Sequence, residues 1–189
     1  MEELLKLDRE LFVFLNNLGS EPFDNLWLII TKQVYWSPLI IFVFYLLKKN
    51  IGWKNLGIII LFLALLIVFT DQITNFFKNY FERLRPCNDP KIKDYIRIVL
   101  HRNSFSFFSG HASNSMATTM FVFFIIKKYY KHSYLLFLFP IIFAYSRIYL
   151  GLHFPLDIIT GFVFGSFNAL LFLKLYLLFQ KKYQFNNPQ

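Results

Sequence analysis

Apolar runs about as long as a bilayer is thick recur through this chain. They occupy residues 23–47, 56–69, 112–126, 134–150 and 155–179. A hydrocarbon core takes about 20 helical residues to cross. Inside lipid no water satisfies backbone N–H and C=O groups, so a crossing segment must be helical. The fold class this predicts is all-α, a polytopic membrane helix bundle with five spanning helices. Thr31-Lys32-Gln33 and Pro38 interrupt the first run, which predicts a broken or kinked span, or two pieces and hence six. The second run predicts a helix that continues through Asp71, Gln72, Asn75 and Lys78 to about Phe81.

Composition excludes the main alternatives. Only 16% of the 189 residues are charged, against about 25% in soluble domains, and 56% are hydrophobic. A soluble chain this short has too much surface to hide so much Phe, Leu and Ile. Disordered, collagen-like and coiled-coil readings fail on the same figures. One domain covering 1–189 is expected. The net charge is +9. The cations sit between apolar segments, which points to anionic headgroups or a phosphorylated substrate and not to nucleic acid. Cys87 is the lone cysteine, so no intrachain disulfide can form.

Residues 1–18 read as an amphipathic helix. Leu4, Leu7, Leu11, Phe14, Leu15 and Leu18 recur at helical spacing, with Glu3, Lys6, Arg9, Glu10, Asn16 and Asn17 elsewhere. It either lies on the bilayer surface or packs on the bundle. Gly19-Ser20-Glu21-Pro22 ends it.

Five crossings fix a parity. The connection holding Lys48, Lys49 and Lys54, the turn holding Lys127, Lys128 and Lys131, and the tail Lys181-Lys182 fall on one side. Together they carry eight Lys and no acid. The positive-inside rule makes that side cytoplasmic. The N-terminal helix, the 82–110 loop and the 151–155 turn are then external.

Three polar clusters interrupt the apolar pattern, all on the external side. The first runs from Lys78 to Arg85-Pro86, the second is Ser109-Gly110-His111, and the third is Ser146-Arg147 followed by His153 and Asp157. Ionisable residues at membrane-helix ends are costly and mark function by default. Lys78, Arg85 and Arg147 supply cations from three segments. Ser109 and Gly110 precede a helix whose N-terminal N–H groups and dipole suit an anion. The set describes a pocket for a tetrahedral oxyanion, with phosphate the obvious candidate. His153 and Asp157 are four apart and share a helical face, so the carboxylate can fix the ring tautomer and leave the other nitrogen nucleophilic. His111, from another segment, can serve as general acid.

In their order and spacing, Lys-x6-Arg-Pro, Ser-Gly-His and Ser-Arg-x5-His-x3-Asp resemble the type 2 phosphatidic acid phosphatase (PAP2) superfamily, in its membrane lipid phosphatase branch. The motifs cover about residues 70–165. The resemblance implies that His153 forms a phosphohistidine, Asp157 orients it and His111 protonates the leaving oxygen. It implies that Lys78, Arg85, Ser109, Gly110 and Arg147 hold the phosphoryl oxygens. Phe108 stands where the family usually has Pro, which bears on the stiffness of that loop.

The implied activity is hydrolysis of a lipid phosphomonoester or diphosphate, with undecaprenyl diphosphate the first expectation. Lipid A, phosphatidylglycerol phosphate and phosphatidic acid are the alternatives. The implied location is a bacterial inner membrane, with the site facing outward. A non-catalytic lipid-phosphate-binding protein is the reading from another class, but a binder has no use for a nucleophile. No cofactor or metal is expected, since the four histidines are scattered and Cys87 has no partner. The expected partners are the lipid phosphate and surrounding lipids.

Several residues have blander expectations. His101 and His132 fall outside the motifs. Arg97, Arg102, Lys91 and Lys93 are expected to face headgroups, and Arg83 either to face headgroups or to touch a second phosphate. Asp71 and Asn75 either steer Lys78 or form a polar seam. Trp27, Trp36 and Trp53 read as interfacial anchors. Gly161 and Gly165 are expected to let helices approach within the bundle, with dimerisation as the alternative.

Overall fold

The structure is a computed structural model that describes residues 2–183. Met1 and residues 184–189, the ends of the expected 1–189 domain, lie outside the described residues. Regular structure among the described residues is helical throughout: α1 (Glu2–Asn17), α2 (Asp24–Ile30), α3 (Ser37–Phe81), α4 (Gly110–Ile126), α5 (Leu138–Tyr149) and α6 (Pro155–Lys182), joined by loops and short 3-10 turns.

The first apolar run divides as Thr31-Lys32-Gln33 suggested. Its front becomes the short helix α2, and a 3-10 turn at Gln33–Trp36 leads into α3. Pro38 does not kink a span. It sits in the first turn of α3, where its missing N–H has no helical partner to lose.

The break inside α3 falls at Gly52, with φ 74° and ψ 172°, a backbone region almost exclusive to glycine. It folds the helix back on itself. Leu39, Val43 and Phe44 before it and Ile60, Leu63 and Ile67 after it line one cavity of about 400 Å³. In a straight helix, positions 40 and 67 would stand about 40 Å apart. The connection holding Lys48, Lys49 and Lys54 is thus a hairpin of two helical limbs without a loop.

By length and composition, the segments containing α3 and α6 are apolar enough to cross a bilayer, and Ser133–Tyr149 is a shorter apolar helical segment. The main core joins both limbs of α3 to α4 and α6, through Leu47, Ile59, Leu66, Phe121, Ile126 and Ala169. Helices α4 and α6 meet closely at the two glycines. A Cβ on Gly161 would stand 2.8 Å from the Ser109 carbonyl oxygen, and one on Gly165 would press on Ser113. Gly161 and Gly165 therefore pack within the bundle, which sets the α4 and α6 N-termini side by side.

Helix α1 buries Asp8, Phe12 and Asn16 and leaves Leu4, Leu7, Leu11 and Phe14 exposed, as is Leu18 just after it. Its inner stripe at i, i+4, i+8 is polar at two positions of three. Asn16 donates to the carbonyls of Arg97, Ile148 and Tyr149 and accepts from Arg97 N–H. The helix is bonded to the same end of the bundle that carries the polar clusters.

Candidate active site

Backbone hydrogen bonds tie the three clusters together. Cys87 N–H donates to Gly151 O, Leu100 N–H to Leu150 O, and Ser109 N–H to Asp157 O. Lys78 in the last turn of α3, the α4 N-terminus and the 151–154 turn thereby share one end of the molecule. Lys78 Nζ lies 3.8 Å from where a Cβ on Gly110 would stand, with Asp71 Oδ1 at 3.9 Å from that point. Asn75 donates to Asp71 Oδ2 at 3.1 Å, so the polar face of α3 is linked behind Lys78.

His153 and Asp157 are buried together. His153 Nδ1 lies 3.4 Å from Asp157 Oδ2, and Nε2 lies 3.1 Å from Arg85 Nη1. A guanidinium only donates, so Nε2 is the acceptor and Nδ1 carries the proton toward Asp157. Burial holds the His153 imidazolium well below the ordinary histidine range, and the charges of Arg85, Arg147 and Lys78 act in the same direction. The ring is neutral, with its lone pair on Nε2, beside a cation.

Arg85 is fixed from behind. It donates to Ser104 O at 2.7 Å, Ser104 Oγ at 3.0 Å and Leu152 O at 3.0 Å. Arg147 is buried and donates to Thr31 Oγ1 at 2.5 Å, while its Nε has no partner among the described residues. His111 stacks on Phe143, with ring centroids 5.1 Å apart, and interacts electrostatically with Arg147, His153, Lys78 and Arg85. Ser109 caps α4, its Oγ accepting from Ala112 N–H at 3.4 Å. Phe108, in place of the proline, is buried against Phe164 at 4.9 Å and Phe77 at 5.6 Å. Apolar packing holds the loop at the position where the family usually has a proline ring.

All eight residues expected in the site converge on this end. The sequence misassigned others. Arg83 does not face headgroups; it donates to Asp157 Oδ1 at 2.8 Å and to Asp8 Oδ2 at 2.6 Å. Arg97 pairs with Asp24 at 2.8 Å and packs on Tyr149, so it is structural. Trp27 stacks on Tyr149, and Trp36 packs on Phe139 and donates to Ile30 O; neither is a free anchor. Trp53 is 73% exposed. Ser106, which donates to Asp157 Oδ2, went unread. A signal for Asp8 existed in the Asp8, Phe12, Asn16 stripe; Ser106 left none. Among the described residues, no three of His, Cys, Asp and Glu form a metal-holding group.

The arrangement offers a neutral imidazole lone pair from the 151–154 turn, a second imidazole from α4, three cations from three segments and a helix N-terminus. That suits nucleophilic attack on a phosphoryl centre.

Comparison with known proteins agrees. The PAP2 superfamily profile matches residues 56–181. A lipid A 4'-phosphatase of Bacteroides thetaiotaomicron is 34% identical over 176 residues, 91% of this chain and 78% of that protein. A lipid A 4'-phosphatase of Porphyromonas gingivalis is 29% identical over 180 residues, 94% of this chain and 76% of that protein. The fold matches the transmembrane PAP2-type phosphatidylglycerolphosphate phosphatase of Bacillus subtilis with a TM-score of 0.67 at 21% identity, over 96% of this chain and 88% of that one. With the motifs gathered at one end of a helical bundle, and likeness along nearly the whole length, the chain belongs to the PAP2 superfamily and is a membrane phosphatase.

Proposed function

We propose that the chain hydrolyses a lipid phosphomonoester through a phosphohistidine on His153, with lipid A phosphorylated at the 4' position as the first substrate class. One observation carries the mechanism: the bond from Arg85 leaves Nε2 of His153 as a lone-pair atom, with Nδ1–H directed at Asp157. In the first step Nε2 attacks phosphorus, the bond from phosphorus to the ester oxygen breaks, and His111 gives that oxygen a proton. In the second step water attacks phosphorus and gives a proton to His111. The P–N bond then breaks, orthophosphate leaves, and His153 is restored. Asp157 stabilises the cationic ring between the steps.

Lys78, Arg85, Arg147 and the α4 N-terminus hold the phosphoryl oxygens. The unpartnered Arg147 Nε supports this, because a buried donor left open costs about 1–3 kcal/mol that an anion would relieve. Ser109 acts by capping α4 and shaping the Gly110 approach. Positioning and charge stabilisation dominate the rate enhancement.

Two relatives that act as lipid A 4'-phosphatases move lipid A ahead of undecaprenyl diphosphate, the first expectation from sequence. The apolar cavity between α3, α4 and α5 supports an amphiphilic substrate. It begins one helical turn beyond His111, at Asn114 and Ser115, and is lined by Trp36, Val43, Ile67 and Phe139. A phosphatidylglycerol phosphate substrate is the second reading, from the fold neighbour. We place the enzyme in a bacterial inner membrane with the site facing outward.

The test is orthophosphate release by purified protein from lipid A, undecaprenyl diphosphate, phosphatidylglycerol phosphate and phosphatidic acid, beside His153→Ala. Wild type should release phosphate fastest from lipid A, and His153→Ala should release none. Release by both proteins removes His153 from its role. Binding without release by the wild type returns the chain to the non-catalytic reading.

A further inference from the structure

We propose that Asp8, on the N-terminal helix α1, is a positioning residue for the reaction, acting through Arg83 on Asp157. This rests on the roles given above to His153 and Asp157.

The Asp157 carboxylate has two unequal sides. Oδ2 accepts from Phe154 N–H at 2.9 Å and from Ser106 Oγ, and faces His153 Nδ1. Oδ1 takes Nη1 of Arg83. The plane of the carboxylate, and with it the direction in which the His153 ring is held, therefore depends on where Arg83 stands. Arg83 is held in turn by Asp8, whose Oδ2 takes Nη2. Asp8 Oδ1 accepts from Leu156 N–H at 2.8 Å, in the first turn of α6 and next to Asp157. One carboxylate thus grips both the guanidinium and the helix end that carries the orienting acid. The Arg83 guanidinium lies 4.1 Å above the Phe154 ring, and Phe12 of α1 packs edge-on against that ring at 5.4 Å. Burial keeps water from substituting: the side chains of Asp8, Arg83 and Asp157 are 4%, 17% and 0% exposed.

Charge gives a second reason. With Asp157 alone, Arg83 would neutralise the acid that must stabilise a cationic imidazole. With both carboxylates ionised, sharing Arg83 with Asp8 leaves the trio one negative charge.

Asp8 does not carry the docking of α1 alone. Phe12 is buried, Asn16 makes its bonds to three carbonyls, and Arg9 pairs with Asp89 at 2.9 Å. Removing Asp8 should leave α1 in place and disturb the relay, which makes the proposal separable from a structural role.

The experiment measures kcat and KM with the lipid phosphate that the wild type hydrolyses fastest. The proteins compared are Asp8→Asn, Asp8→Glu, Arg9→Gln, Arg83→Gln and the Asp8→Asn/Arg83→Gln double variant. Misplacing a reacting group by a fraction of an ångström costs about tenfold or more. Asp8→Asn should lose about tenfold in kcat with KM within about twofold. Asp8→Glu should recover part of that loss, and Arg9→Gln should stay within about twofold of wild type. The double variant should be no slower than Arg83→Gln, because both residues act on one target. Wild-type kcat in Asp8→Asn, an equal loss in Arg9→Gln, or losses that multiply in the double variant would each overturn the proposal. If Asp8→Asn gives no folded protein, Asp8→Ser, whose hydroxyl can accept from Leu156 N–H, is read by the same criteria. Failure of the functional reading looks different: the wild type releases no phosphate, or His153→Ala releases as much.

Discussion

Arg85 touches the very atom proposed to attack phosphorus. It donates to His153 Nε2 and, with burial, keeps the ring unprotonated. The expected pH behaviour follows in sign. The limb of kcat/KM that rises with pH reports the free-enzyme group that must lose a proton. His153 is held below the ordinary histidine value of about 6.5, so that limb should lie below pH 6.5. Arg85→Gln removes a nearby positive charge, raises the proton affinity of His153 and should move the limb upward. The plateau should fall by about 10²–10³, the cost of one lost donor to a developing oxyanion. A pH–rate series on both proteins checks each part. A limb that stays where it was in Arg85→Gln would mean that Arg85 does not act on His153. The residues the sequence hid at this scale, Asp8 and Arg83, pair across 75 positions of chain. A cation beside the motif arginine shows no local mark of whether it faces lipid or a distant carboxylate.

Elements were more legible than contacts. The end of the second span near Phe81, the helix over 112–126 and the one starting at Pro155 all lie within a few residues of their predicted limits. Apolar runs and helix breakers are local and can be read locally. The turn between the first two apolar runs falls in the connection that bears Lys48, Lys49 and Lys54, but its form is hidden in the sequence, because a single glycine conformation at Gly52 replaces a loop. The joint that matters most for chemistry is α4 on α6, since α4 carries His111 and α6 carries Asp157. At Gly161 a Cβ would meet the Ser109 carbonyl at 2.8 Å and Ala112 Cβ at 3.0 Å, and backbone cannot swing aside as a side chain can. Gly161→Ala should therefore push the helices apart, at a cost of about 1–3 kcal/mol. It should also slow turnover by up to about 10²-fold, because the reacting groups separate. Gly57→Ala, with nothing within 4 Å of the new methyl, should leave turnover unchanged and stability equal or higher. Thermal unfolding and turnover in detergent compare the two. Equal effects would show that close packing at Gly161 is not what holds the site.

Across the whole molecule the two ends differ in charge and in structure. One end carries the eight lysines of the α3 hairpin, the α4–α5 turn and the tail. The other carries α1, α2, the 82–109 segment and the candidate site. Leu4, Leu7, Leu11 and Phe14 of α1, and Leu18 just after it, are exposed at that second end. Insertion keeps short lysine-rich flanks on the cytoplasmic side, so the site should open to the outside, with α1 resting its leucines in that leaflet. The basic residues at the active end do not reverse this. Arg83, Arg85, Arg97 and Arg147 are bonded inside the protein. The experiment replaces the buried Cys87 with Ser and introduces one cysteine at a time. Tyr95 is 72% exposed at the active end, and Lys128 is exposed at the lysine end. In right-side-out vesicles a membrane-impermeant maleimide should label Tyr95→Cys and spare Lys128→Cys until the membrane is opened. The reverse pattern would put the phosphate-releasing end in the cytoplasm, and substrates presented on the outer leaflet would then be out of reach.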